Sequence, residues 1–104
     1  MIETIRNNIM DLILNTEEMA ICFYQQKKEE GYGKLDGVFN QLGNVMDEVA
    51  LLKKERLDIH INIDCMNEAL NHALLALQEK DTILFSDILN YELLEQFRNI
   101  VKEI

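Results

Sequence analysis

Leu35, Val38, Leu42, Val45, Val49 and Leu52 recur in alternating steps of three and four, and Phe39 and Met46 broaden the stripe. An α-helix turns once every 3.6 residues, so this spacing gathers the apolar side chains on one seam of a helix running from Leu35 to about Lys54. Such a seam needs a second helix to cover it, which makes a bundle its natural destination. The rest of the chain points the same way. It contains no proline and only four glycines, so the turn punctuation of an all-β domain is missing. With 48% hydrophobic content, its 104 residues suffice for one core and one domain, residues 1–104, but not for two.

Three further helices are expected. From Ile2 to about Gln26, the residues Ile2, Ile5, Ile9, Leu12, Ile13, Met19, Ala20 and Phe23 share one face. Met10, Leu14 and Ile21 form a second stripe a quarter to a third of a turn further round. A helix apolar on two sides is either central or covered by a partner. Its end is expected near Lys27–Gly33, with Gly31 in the left-handed conformation and the lysines facing the negative end of the helix dipole. Within the second helix, Gly37 and Gly43 each cost about 1 kcal/mol relative to alanine. Close approach of a neighbouring backbone would explain them, as would a loosely specified helix. A third helix, from about Ile63 to Lys80, carries Met66, Ala69, Leu70, Ala73, Leu74 and Leu77 on one face. Asp81 stands where an N-cap belongs, ahead of a last helix reaching about Glu103.

Between the second and third helices the period changes. Leu57, Ile59, Ile61 and Ile63 alternate with Asp58, His60 and Asn62, a period of two that reads as extended chain. A lone strand leaves its backbone unpaired, so the expectation is an extended connector packed across the bundle; a strand paired across a dimer is the alternative. Asn62 or Asp64 would cap the helix that follows. The expected fold is thus all-α, a four-helix up-and-down bundle with an extended connector between helices 2 and 3.

The formal charge is −9, and the basic residues are scattered rather than clustered. Nucleic-acid phosphates and anionic membranes therefore make poor partners. A basic segment, or an apolar surface on another helical protein, suits the chain better. Acids interrupt every apolar run and no basic region precedes the first, so neither a signal peptide nor a membrane span is expected. Cys22 and Cys65 read as reduced thiols at or near the core, and the expected location is cytoplasmic.

No catalytic constellation assembles on paper. Cys65, Glu68 and His72 have the spacing of helix-borne ligands, but a metal site needs three or four that converge, and the Glu-x-x-His of bundle carboxylate sites is missing. Glu92 and Glu95 form the Glu-x-x-Glu seen in some helical nucleotide pyrophosphohydrolases, yet no Glu-x-x-Asp follows; they read as solvent-facing acids. Ser86 is the only serine, with no glycine-rich elbow and no phosphate loop. The expectation is no enzyme, no cofactor and no metal.

The informative polar group is Ser86, Asp87 and Asn90, with Tyr91 at its edge. Projected at 100° per residue, the three lie on the side that Leu94, Phe97, Val101 and Ile104 make apolar. Either they pair internally, since bare buried polar groups are costly, or they form a notch for a partner. Asp81, Asp87-Ile88-Leu89 and Tyr91-Glu92-Leu93, after a leucine- and alanine-rich helix ending Gln78-Glu79-Lys80, resemble the C-terminal region of an uncharacterised family of short all-helical proteins from Gram-positive anaerobes. The resemblance covers residues 70 to 95 and implies a fold but no activity. In size and helical content the chain is also similar to flagellar export chaperones, by architecture alone.

The expected function is a non-enzymatic protein-interaction module, an adaptor or chaperone-like bundle. Met10, Leu14, Ile21, Ser86, Asp87, Asn90 and Tyr91 are its candidate partner-binding residues, and a homodimer is expected to cover the second stripe. The alternative is a small metal-dependent or ligand-binding helical protein.

Overall fold

A computed structural model describes residues 1–104. The seam of Val38, Leu42, Val45, Val49 and Leu52 is buried along α2 (Lys28–Glu55), with Leu35, Phe39 and Met46 packed at its margins. It lies against α1 (Ile2–Tyr24), which contributes Ile5, Ile9, Leu12, Met19, Ala20 and Phe23 to the core. Amides and carboxylates stitch the rim of this pair. Asn8 Nδ2 donates to both Glu48 carboxylate oxygens at 2.9 and 3.0 Å, and Asn15 Nδ2 donates to Gln41 Oε1 at 3.0 Å. Thr16 enters the core on the same face, and its Oγ1 has no hydrogen-bond partner, a cost of about 1–3 kcal/mol by the usual penalty for an orphaned polar group.

Helix α3 (Ile63–Gln78) buries Met66, Ala69, Ala73 and Ala76, and its leucines flank this line. Three alanines along the line let the last helix approach closely. That helix is continuous from α4 (Thr82–Ile88) through a π-helical turn (Leu89–Leu93) into α5 (Leu94–Glu103). Its backbone runs close to both α1 and α3, so α1 is central, with α2 on one side and the last helix on the other. One continuous cluster of 22 buried residues joins all four helices in an up-and-down bundle. No helix is long and apolar enough to cross a membrane.

The two tight turns share one design, which in the first replaces the glycine closure expected there. After α1, Lys27 N–H donates to Cys22 O at 2.8 Å and Gln26 N–H to Phe23 O at 3.0 Å; after α3, Asp81 N–H donates to Ala76 O at 2.9 Å and Lys80 N–H to Leu77 O at 3.0 Å. These are paired Schellman closures. The left-handed residue is Gln26 (φ 61°) in one and Lys80 (φ 61°) in the other, each accepting about 1–2 kcal/mol of steric cost that glycine would escape. Gly31 is therefore not the cap. It lies inside α2 with its α-carbon against the Phe23 ring, where an added Cβ would come within 2.6 Å of ring carbon. Lys27 and Lys28 stand at the start of α2 rather than at the end of a long first helix, and Glu29 and Glu30 face its positive dipole end. Gly37 and Gly43 meet nothing within 4 Å, so close backbone approach does not account for them.

Phe23 stacks edge-on against Tyr32 at 5.3 Å and Phe85 at 6.0 Å, and Phe39 against Phe85 at 6.4 Å. This arrangement is favoured by the ring quadrupoles. The cluster closes the end of the bundle where α1 turns into α2. At the opposite end, residues 56–62 form the connector, which opens with a turn at Leu57 and Asp58, where Ile59 N–H donates to Arg56 O at 3.3 Å, before the chain continues to Asn62. Ile59 and Ile61 are buried and Asp58, His60 and Asn62 face outward, but the turn takes Leu57 out of the expected alternation and leaves it in solvent. No strand forms. Asn62 caps α3 by accepting from Cys65 N–H at 3.0 Å, and Asp81 caps α4 by accepting from Leu84 N–H at 3.0 Å.

Candidate functional site

The candidate residues come from two elements 60 or more positions apart, and the fold sets them side by side. Leu14, Ala20, Ile21 and Tyr24 of α1 line a cleft of about 350 Å³ with Asn90 of the π turn, edged by Glu17 and Glu18. Met10 continues the apolar strip one turn along. Met10, Leu14 and Ile21 are 52%, 55% and 51% exposed, so this face of the central helix is left open.

The π turn determines what borders the cleft. Leu94 N–H donates to Leu89 O, five residues back. In an unbroken α-helix Leu89 and Phe97 would stand about 80° apart; one extra residue in the turn reduces this to about 20°. Phe85, Leu89 and Phe97 consequently share the core face, all fully buried. The same shift rotates Asp87 and Asn90 away from the side of Leu94, Phe97, Val101 and Ile104, where a uniform projection placed them. They are half-buried at the flank facing α1, and only Ser86 is inside the core.

Each polar member then has its own partner. Ser86 Oγ donates to Thr82 O at 2.8 Å, one turn back. Asp87 Oδ1 accepts a short hydrogen bond from the Tyr24 hydroxyl. Partial burial, and then this carboxylate, push the Tyr24 phenol far above its ordinary value, so it remains a donor at any physiological pH. Asn90 is held by Arg98, whose Nη1 donates to the Asn90 carbonyl at 3.2 Å and whose Nη2 donates to its Oδ1 at 3.0 Å. Arg98 also reaches Glu17 on α1 at 2.8 Å and Glu95 at 3.3 Å. Gln96 Nε2 donates to the Glu92 carbonyl at 3.0 Å. Side chains thus supply donors to carbonyls that the widened turn tilts out of the ordinary ladder. Tyr91 makes no such bond and stands 72% exposed beside them.

Tyr24, Glu17 and Arg98 are site residues that the sequence did not single out. Glu17 carried a signal, since it interrupts the Met10, Leu14, Ile21 strip at a position helical spacing would make apolar. Tyr24 and Arg98 carried none, because their roles depend on partners 63 and 81 residues away.

Cys65, Glu68 and His72 are all exposed on α3, and no three His, Cys, Asp or Glu side chains converge as metal ligands would. Glu92 lies 3.9 Å from His72, Glu95 pairs with Arg98, and both acids face solvent. Cys22 is buried and Cys65 exposed, both free thiols. The profile described as "Domain of unknown function (DUF8042)" matches residues 1–103. No curated protein and no solved structure matches the chain.

Proposed function

The chain belongs to the DUF8042 family, and from that premise we propose that it is a non-enzymatic, cytoplasmic protein-interaction module, an adaptor or chaperone-like bundle, that docks a basic amphipathic helix on α1 beside the π turn. One observation carries this reading. Met10, Leu14 and Ile21 form an apolar strip that remains about half exposed after the chain has folded, and it leads into a cleft edged by acids and floored by Leu14, Ala20 and Ile21. Apolar strips rimmed by polar residues are where helices dock. Charge selects the occupant: α1 carries Glu3, Asp11, Glu17 and Glu18 against Arg6, and with Glu17 paired to Arg98 the other three acids have no cationic partner. A second copy would set these acids against one another across a two-fold contact, whereas a lysine-bearing helix would be attracted. The homodimer is therefore the competing occupant of the same strip.

The test uses a synthetic amphipathic helix with leucines on one face and lysines on the other, titrated into the labelled protein by NMR. The expected result is saturable shifts at Leu14, Ile21, Tyr24 and Tyr91. Binding should weaken about tenfold or more in Leu14→Ser/Ile21→Ser at unchanged melting temperature, and a leucine/glutamate helix should not bind. Equal binding to the variant overturns the reading, as does a stable dimer in light scattering that buries the strip.

A further inference from the structure

Four hollows on the surface are substantial, and they differ in chemistry. The cleft on α1 is apolar with acids at its edge. A second, between Gln26 and Glu30, has no apolar lining, and a third, beside Asn15, has only Val38. The fourth and largest, about 720 Å³, lies at the connector end of the bundle and combines an apolar floor with two lysines. That volume is typical of small-molecule sites.

Its floor is the edge of the core where the connector crosses it, Ile61, Met66 and Ile100. Leu57 stands above the floor, 88% exposed, the most solvated aliphatic side chain in the chain. Lys53, from the last turn of α2, and Lys102, from the last turn of α5, both line the hollow, and neither has a carboxylate within 4.0 Å. The acid present, Glu103, is already engaged. Its two oxygens accept from the His60 backbone N–H at 3.0 Å and meet His60 Nδ1 at 2.8 Å, which turns the carboxylate toward the connector. Asn99 and Gln96 add amides to the wall.

We propose that this hollow binds a small apolar monocarboxylate, with its hydrocarbon part on the Ile61, Met66 and Ile100 floor under Leu57 and its carboxylate held by Lys53 and Lys102. Two lysines without carboxylate partners line this hollow against the one acid, Glu103, in a chain of net charge −9, so its local charge is opposite to that of the molecule. A monoanion gains from that charge, while a polyanion would meet the acidic remainder. The hydrocarbon part supplies affinity by leaving water, and the lysines discriminate in favour of the charged head. This site lies at the far end from the α1 cleft and does not depend on the docking reading.

The experiment is an NMR titration of the full chain with octanoate below its micellar concentration, with 1-octanol in parallel. The expected result is saturable shifts confined to the connector and the last turn of α5, including the Asn99 and Gln96 side-chain amides. Octanol should bind about tenfold more weakly. Lys53→Ala/Lys102→Ala should weaken octanoate by a similar factor while leaving octanol and the melting temperature unchanged, and Leu57→Asp should weaken both ligands. Absence of saturable shifts, shifts centred on Leu14 and Ile21 instead, or equal octanoate binding to the lysine variant would each overturn the proposal.

Discussion

The two ends of the bundle are closed by different physics. At one end three residues connect α1 to α2, and Phe23, Tyr32, Phe39 and Phe85 interlock above them. At the other, the seven-residue connector crosses the core and is held by two buried isoleucines and two surface ion pairs, Arg56 with Asp58 and His60 with Glu103. Phe23 and Phe85 at the centre of the rings are fully buried, so their packing is insensitive to pH and intolerant of added volume. Exposed ion pairs contribute little and respond to pH and salt. The lesson is a division of labour: the rigid end fixes the order of the helices, and the loosely held end leaves a hollow open.

The largest test of that contrast is Phe85→Ala. Phe85 is fully buried against two rings, and its loss should cost about 3–5 kcal/mol. In a domain of this size that lowers the melting temperature by about 12 °C or more. Ile59→Ala at the connector should cost about 2 kcal/mol, because a loop can settle into the space. Thermal melts giving equal losses would break the comparison.

Glycines sharpen it at the next magnitude. Alanine normally stabilises a helical glycine site by about 1 kcal/mol, and Gly37→Ala, with open space around it, should do so. Gly31→Ala should do the reverse, lowering stability by about 1–3 kcal/mol. Its Cβ would press on a Phe23 ring that Tyr32 and Phe85 prevent from moving. Denaturant melts in which both substitutions stabilise would show that the aromatic end can yield.

The smallest effect belongs to the His60–Glu103 clasp. The hydrogen bond with Glu103, and then its charge, raise His60 above its ordinary 6.5, and the same contact lowers Glu103 below 4.5. A raised histidine contributes its full stabilisation below 6.5 and loses it as pH rises through the folded value. A lowered carboxylate contributes above 4.5 and loses its share as pH falls through the folded value. The clasp should therefore be strongest between pH 4.5 and 6.5. The difference in melting temperature between wild type and His60→Gln should be largest in that window and fade toward pH 8, and a difference independent of pH would show that the contact is not ionic.

What could be read from sequence was what short-range chemistry determines. The α2 seam was legible because its period is clean, the caps Asn62 and Asp81 because a side chain reaches only three residues, and the connector because Ile59 and Ile61 alternate with polar neighbours. The first turn was misplaced because glycine is the usual left-handed signal, whereas Gln26 takes that role here; the second was placed by Asp81, although nothing in the sequence marked Lys80 as its left-handed residue. Leu14, Ile21 and Asn90 were each visible, but not that they line one cleft. That depends on the π turn, which no local pattern announces, and on Arg98 reaching Glu17 across 81 positions. The connector hollow was invisible for the same reason, since two distant stretches, residues 53–66 and 96–103, build it.

The π turn also gives the last helix a tolerance of length that helices ordinarily lack. Removing a residue from an ordinary helix swings everything beyond it by about 100° and tears the core face away from its partners. Between Leu89 and Leu93 the helix already holds one residue more than its geometry needs. A single deletion there would be absorbed as a return to plain α-helix, leaving Phe97 and Ile100 facing inward as before. If the residue lost is Asn90, the cleft loses its border on this helix, since Asn90 is the residue of the turn that lines it. A relative shorter by that residue would therefore keep the architecture and lose this side of the cleft.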